Sequence, residues 1–306
     1  MKKIFTFLLL ALSSLAMAKE KITVFYPYAA SASNTPATIR LLDEANKIQQ
    51  EIEFILEFRP GGNQSISVKA MEQDPFNSLS LIAPAYIENS KEGIINRNNH
   101  VPVWSLGNAC WAVVTNLGKT ENGLASLARV PEITVGGVGY GNATHLTSII
   151  LGEKFNFKTR YIVFKSNTDA LVNLAGNNGV NLVIDKVENF LSFKIKSDIQ
   201  VLGVSCPTRI NLLPNVKTLS EQGINAPMVF NIIISHKDMP IDKRNKIRSI
   251  LDSAANNIGS QTFMQLSGLR PTQFDNITPA EFYNKTIIIF ENLLNKYENK
   301  IKDAKN

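Results

Sequence analysis

The chain has 306 residues, 44% of them hydrophobic, which is ample apolar material for one large or two modest packed domains. Its 32 Lys and Arg against 26 Asp and Glu give a formal charge of +6, scattered along the chain, a mild attraction for anions that falls short of a nucleic-acid signature. The densest basic stretch, the C-terminal KYENKIKDAK, is interleaved with acids and reads as a solvated helix face.

The chain opens with Lys2 and Lys3, an apolar run from Ile4 to Leu15 and a small-residue site at Ala16-Met17-Ala18, the pattern of a secretory signal peptide spanning residues 1–18 and cleaved after Ala18. The run is too short to span a bilayer as a helix and no comparable segment follows, so an exported, periplasmic protein is expected. KITVFY reads as a strand. Thr35-Pro36 then supplies a helix cap and an early helical proline before an apolar face at Leu41, Ala45, Ile48 and Ile52. FILEF is a second strand, and after the RPGGN turn a short helix from about Ser65 to Met71 leads to the strand SLSLIAP, which ends at Ala83 and Pro84.

GVGYGNATHL, from Gly137 to Leu146, is the most informative stretch. Three alternating glycines let the backbone turn sharply and approach a ligand, Asn142 can cap the helix that follows, and free N–H groups at that helix start favour a carboxylate or phosphate. A plain strand-to-helix turn explains the same residues. Beyond it TRYIVF, VNLVID and IQVLGVS read as strands, with TDALVNLA and VENFLSF as helices between them. VFNIIIS is a strand, Lys246 to Ala255 a helix, and Thr278 with Glu281 forms a capping box for a long last helix with an apolar stripe at Phe282, Ile289, Leu293 and Tyr297.

This alternation is an α/β signature of mostly parallel sheets flanked by helices. Two strand-to-helix loops, Tyr28 to Asn34 and Gly137 to Asn142, each lie at the carboxyl end of a sheet, so they face each other across a cleft between two lobes. Connections near Val113 to Asn116 and Asn225 to Ile232 divide the chain into lobe 1, residues 19–115 plus 226–306, and lobe 2, residues 116–225.

From Gly137 to Ile224 the chain resembles the Bug-type, or TctC-like, extracytoplasmic solute receptors of tripartite tricarboxylate transporters. Gly139, Gly141, His145 and Leu146 match that family's glycine-rich loop, Phe164, Lys165 and Ser166 its Pro-Tyr-Lys-Gly-like segment, and Asp185 its strand-ending acid. SCPTR followed by LLPNVKTLSEQGI is the most specific match, with Thr218, Leu219, Glu221 and Gly223 in register, and FRPGGN resembles a further family turn. The resemblance implies a two-lobed periplasmic-binding-protein-like fold, a hinged cleft that closes on a small carboxylate held by backbone N–H groups and water, and delivery to a membrane permease by a monomer. The ligand-binding set it implies is Tyr28, Ala30, Ser31, Ser33, Asn34, Thr35, Ala83, Gly139, Tyr140, Gly141, Asn142, Ala143, Thr144, His145 and Asp185.

The first loop departs from the family. YPYAASASNTPATIR lacks its glycines and carries Thr35 near the place of an acid, which weakens recognition of an ammonium group and favours simple carboxylates over amino acids. Several of these residues also have purely structural readings. His145 can cap or pack locally, Lys165 can snorkel at the surface, Asp185 can orient the loops, and Trp104 and Trp111 can pack a core or hinge.

No GxSxG, HExxH, Walker or complete dinucleotide motif is present, so an exported enzyme is the weaker alternative, and a receptor presenting its ligand to a sensor protein is a further one. No cofactor and no metal is expected. His100, His145 and His236 stand alone without HxxxH or CxxC spacing. Cys110 and Cys206 adjoin the apolar runs ACWAVV and VLGVSC, and an exported setting permits either a disulfide or two buried thiols.

Overall fold

The computed structural model describes residues 18–30, 32, 34–118, 123–187, 189–190, 199–210, 213–266 and 269–305. The signal-peptide assignment, Ser31, Ser33 and most of the short VENFLSF helix lie outside the described residues. Two sheets organise the rest.

The first sheet has the order β11-β4-β10-β3-β1-β2, formed by β1 (Glu20–Tyr26), β2 (Ile52–Phe58), β3 (Ser78–Ile82), β4 (His100–Ala109), β10 (Val229–His236) and β11 (Leu269–Arg270). The second has the order β7-β6-β8-β5-β9, formed by β5 (Trp111–Thr115), β6 (Glu132–Gly137), β7 (Lys158–Val163), β8 (Leu182–Lys186) and β9 (Gln200–Val204). In each sheet three strands made by βαβ units are parallel, β2-β1-β3 and β7-β6-β8.

The sheets are mixed rather than mostly parallel beyond those blocks, because β10 runs antiparallel to β3 and β4, and β5 antiparallel to β8 and β9. The physical reason is connectivity. These strands are entered from the other sheet and not through a crossover helix, so nothing imposes the parallel sense. They consequently present their amino ends at the edge where the parallel strands present their carboxyl ends. Trp111 opens β5 opposite Lys186, the last residue of β8.

The chain passes from the first sheet to the second at Cys110, between β4 and β5, so residues 111–115 pair in the second sheet although the sequence division placed them in lobe 1. It returns between Val204 and Val229. Cys110 and Cys206 form a disulfide with Cα atoms 4.9 Å apart, tying the first crossing to the segment that follows β9.

The helices α1 (Thr35–Ile48), α2 (Ser65–Gln73), α3 (Ala85–Lys91), α4 (Ala143–Phe155), α5 (Asn167–Ala175), α6 (Ile241–Ala255), α7 (Ile258–Leu266), α8 (Pro279–Lys296) and α9 (Glu298–Lys305) flank the sheets. β3, β5 and β8 are buried along their full length, which is why they read as unbroken apolar runs. In α8 the capping box is present, but the buried stripe is Phe282, Tyr283, Ile287, Phe290 and Leu294. Ile289 instead stands 44% exposed. Among the described residues no helix is long and apolar enough to cross a membrane.

α8 and α9 also reach the second sheet's helices. The Tyr297 hydroxyl donates to Glu153 Oε2 at 2.9 Å, and Lys300 Nζ to Glu153 Oε1 at 2.7 Å. These ties set the C-terminal helices against α4 across the two sheets.

Candidate functional site: a cleft between the two sheets

A cleft of about 680 Å³ opens at the carboxyl ends of the two parallel blocks. That size lies within the usual range for small-molecule sites.

On the second sheet's side the chain leaves β6 and turns through Gly139 and Gly141, at φ +72° and +68°, into α4. A Cβ on Gly141 would lie 2.7 Å from the Glu88 carboxyl carbon, and one on Gly137 would lie 2.1 Å from the Tyr161 hydroxyl. Asn142 is the N-cap, its Oδ1 accepting from the His145 N–H at 3.0 Å and from the Thr144 hydroxyl at 2.7 Å. Its Nδ2 donates back to the Val138 carbonyl. The loop is thus a preformed cradle whose own side chain closes it.

His145 holds this loop from behind. Its Nδ1 accepts the Gly141 N–H at 3.0 Å, and its ring packs 4.3 Å from that of Tyr161 and 5.4 Å from that of Tyr140. Burial, with a smaller contribution from Lys305, pulls its pKa down to about 4, so it is neutral and free to accept. The Gly141 amide is therefore spent on His145 and does not face a ligand.

On the first sheet's side, Gly61, Gly62, Asn63 and Gln64 form a turn of positive φ. Gln64 donates to the Tyr28 hydroxyl at 3.1 Å and accepts from the Ala83 N–H at 2.9 Å, fixing the loop after β1 to the loop after β3. Burial pushes the Tyr28 hydroxyl pKa far above its ordinary value, so it stays protonated. Asn34 occupies the N-cap position of α1 without a side-chain cap. It reaches instead across the sheet, donating to Asn231 Oδ1 at 3.1 Å. Thr35 does not cap the helix either, as its hydroxyl points to the Tyr26 hydroxyl at 3.3 Å and the Ala29 carbonyl at 3.4 Å.

α5 contributes a third helix start. Ser166 caps it through the Asp169 N–H at 3.1 Å, and Ser166 to Asp169 line the cleft. Beneath them Asp185 is fully buried, with Oδ1 accepting from Asn167 at 2.8 Å and Oδ2 from Asn189 at 3.0 Å. Burial raises its pKa to about 6 against those hydrogen bonds and the Lys186 backbone and charge. Both oxygens are occupied by protein amides, so Asp185 positions two asparagines of the wall.

Of the residues expected from sequence, Tyr28, Asn34, Gly139, Asn142, Ala143 and Thr144 line the cleft. Ala30, Thr35, Ala83, Tyr140, Gly141, His145 and Asp185 are not among the lining residues; Ala83, Gly141, His145 and Asp185 hold the residues that are. Sequence reasoning did not assign Asn63, Gln64, Trp111, Lys186, Asn189 or Asn231 to the site, reading Trp111 as core or hinge packing, yet all six line it. The RPGGN turn was a usable signal for the first two. The others depend on strand pairing and on the two sheets facing each other.

The starts of α1, α4 and α5 converge on one space walled by neutral amides and hydroxyls, with Lys165 and Lys186 alongside Asp169 and the sequestered Asp185. Partial positive charge from three helix ends, with donors outnumbering exposed acids, suits an anion. Among the described residues no cluster of His, Cys, Asp or Glu is arranged to hold a metal ion.

Comparison with known proteins agrees with that geometry. The family described as "Tripartite tricarboxylate transporter family receptor", TctC, matches residues 118–298, more than half of the chain. A protein of Agrobacterium vitis described as "UPF0065 protein in the TAR-I ttuE-ttuC' intergenic region" is 25% identical over 156 residues, which span 50% of this chain and 44% of that relative's length. Among solved structures, a Rhodopseudomonas palustris protein with adipate superposes with a TM-score of 0.74 at 16% identity, covering 93% of this chain and 97% of its own. MatC from the same organism, with bound malate, superposes at 0.72 with 13% identity, covering 92% and 98%. At these identities the two structures show the fold alone. The family match carries the assignment: this chain belongs to the TctC family of tripartite tricarboxylate transporter receptors, which are periplasmic solute-binding proteins and not enzymes.

Proposed function

We infer that this protein captures a small carboxylate, di- or tricarboxylate-like, in the cleft between its sheets and delivers it to a membrane permease of the tripartite tricarboxylate type. The observation that carries this reading is the convergence of the α1, α4 and α5 starts on a cleft walled by neutral hydrogen-bond donors. Similar structures with malate and adipate support the ligand class. The sequence division of lobe 1 (19–115 plus 226–306) from lobe 2 (116–225) is kept with its first boundary moved to Cys110, so that lobe 1 is residues 19–110 plus 226–306 and lobe 2 residues 111–225, and the ligand bridges both as they close about these crossings. The contact set is Tyr28, Asn34, Gly139, Asn142, Ala143 and Thr144, supported from behind by Gly141, His145 and Asp185. Export follows cleavage after Ala18, and the working form is a monomer.

Thr35 stands near the place of the family's acid in the first loop and both Asp185 oxygens are engaged by asparagines, leaving Asp169 as the open acid among the described lining residues, so simple carboxylates are expected to bind better than amino acids. The decisive experiment is native mass spectrometry of protein taken gently from its own periplasm, with thermal shift against malate, adipate, citrate, aspartate and glutamate. One carboxylate per chain is expected, with a stabilisation of about 2.7 kcal/mol at ~100 times Kd. No response to any carboxylate, or tighter binding of aspartate than of malate, overturns the reading.

A further inference from the structure

Glu88, on α3, is a buried acid that no cleft contact explains. Its side chain is 8% exposed, yet neither it nor its cation Lys305 is among the lining residues. Three parts of the molecule meet on this one carboxylate. Asn63 Nδ2, from the positive-φ turn on the first sheet's side, donates to Oε2 at 3.0 Å. Lys305 Nζ, from α9, donates to Oε1 at 3.1 Å and also to Glu92 Oε1 at 3.2 Å. The glycine loop of the second sheet's side lies against the same group, since a Cβ on Gly141 would stand 2.7 Å from its carbon and 2.8 Å from each oxygen. Burial raises the Glu88 pKa while Lys305 and Asn63 oppose that rise, so the lysine works to keep the carboxylate ionised.

The place of this contact gives it a direction. Asn63 and Gly139 line the cleft from opposite sides, and a Cβ on Gly139 would lie 3.6 Å from Asn63 Oδ1. The two loops therefore meet on the cleft side of the chain crossings, and moving the walls apart must break their contact. The C-terminal segment reaches both sides as well. Tyr297 and Lys300 hold Glu153 on α4, so Lys305 is offered to Glu88 by a helix already anchored on the opposite side.

We propose that Glu88 is a closure latch: with Lys305 holding its charge and Asn63 its orientation, it seats the Gly139 to Gly141 loop as the two sides of the cleft come together, and so retains a bound carboxylate without touching it. This rests on the carboxylate-receptor reading above and its hinged closure, and adds to them a positioning residue outside the cleft. A ligand gains from the latch only what the latch contributes to the closed form over the open one, so the effect falls on dissociation and not on encounter.

Stopped-flow and equilibrium titration of the full mature chain with malate, adipate and citrate test it. Lys305→Met and Glu88→Gln are each expected to weaken binding about three- to tenfold, almost entirely through faster dissociation, and the double variant to be no weaker than the weaker single one, because both remove the same contact. Lys243→Met, which breaks an ion pair with Glu20 within the first sheet's side, is the control and is expected to leave both rates unchanged. A merely structural Glu88 would lower thermal stability and leave dissociation alone. That result, or losses that add in the double variant, overturns the latch and leaves the receptor standing. If the wild type binds none of the three acids, the receptor reading fails and the latch falls with it. Should Glu88→Gln not fold, Lys305→Met, changed at a side chain 38% exposed, decides against the same control.

Discussion

The two loops that face each other across the cleft reach their conformations by different means. The loop from Gly137 to Asn142 is specified locally: two glycines at positive φ, an N-cap whose side chain closes the turn, and a neutral histidine bound to one of its amides. The loop from Pro27 to Asn34 has no glycine at all. It is held by partners distant in sequence, with Gln64 on Tyr28 and Asn231 on Asn34. One loop therefore carries its instructions in five or six consecutive residues and the other borrows them from the fold. The first kind tolerates no change of its own sequence, and the second fails when its supports are removed.

The largest expected effect comes from adding one methyl group to the self-specified loop. Gly141→Ala places a Cβ against a Glu88 carboxylate that is pinned by Asn63 and Lys305, at a φ that alanine adopts poorly. A loss of about 3–4 kcal/mol in chemical denaturation is expected from strain and overpacking together. Ala30→Gly in the opposite loop is expected to change stability by less than ~1 kcal/mol. Equal losses in both variants would abolish the contrast.

Protonation sharpens it next. His145 has a folded pKa lowered from 6.5 to about 4, so the unfolded chain binds the extra proton and stability is lost as pH falls through that window. Asp185 has a folded pKa raised from 3.8 to about 6, so its contribution is present at low pH and is lost as pH rises through that window. Each corresponds to ~3 kcal/mol when fully developed, and the two slopes oppose each other between about pH 4 and 6. Denaturation of His145→Gln and Asp185→Asn across pH 3.5–7 is expected to uncover them separately: the His145 variant loses stability on rising pH and the Asp185 variant on falling pH. Slopes of the same sign in both variants would contradict the assignment.

Gln64→Ala removes the two supports of the borrowed loop, leaving the Ala83 N–H and the Tyr28 hydroxyl without their partner. A cost of about 2 kcal/mol and weaker ligand binding are expected. The smallest effect is that of Thr35→Val, which loses only long hydrogen bonds to Tyr26 and Ala29 and should cost about 0.5–1 kcal/mol. A larger loss from Thr35→Val than from Gln64→Ala would mean that the first loop is specified from within after all.

The same distinction separates what was legible from what was not. Strands such as KITVFY and VNLVID, the Thr278 to Glu281 capping box and the Asn142 cap were readable because each depends on neighbours within a turn or a single strand. Thr35 was misjudged as a cap because a hydroxyl before Pro36 has the right type and spacing, and only the nearby Tyr26 ring and Ala29 carbonyl draw it away. His145 was visible as a candidate, but its role behind the loop needed Tyr140 and Tyr161 around it.

The alternation of strands and helices in the two βαβ blocks, the glycine cradle and the family resemblance were legible in the sequence alone, because periodicity, turn chemistry and motif spacing act over a few residues, whereas β4, β11, α3 and α7 were not read from it. The tertiary structure alone decided which amides and side chains look into the cleft. Trp111 meets Lys186 through an antiparallel pairing, Asn231 reaches the same space from the other sheet, and Cys110 finds Cys206 across a separation of 96 residues. Contacts of that range are set by how two sheets close on each other, and no local pattern in the chain encodes them.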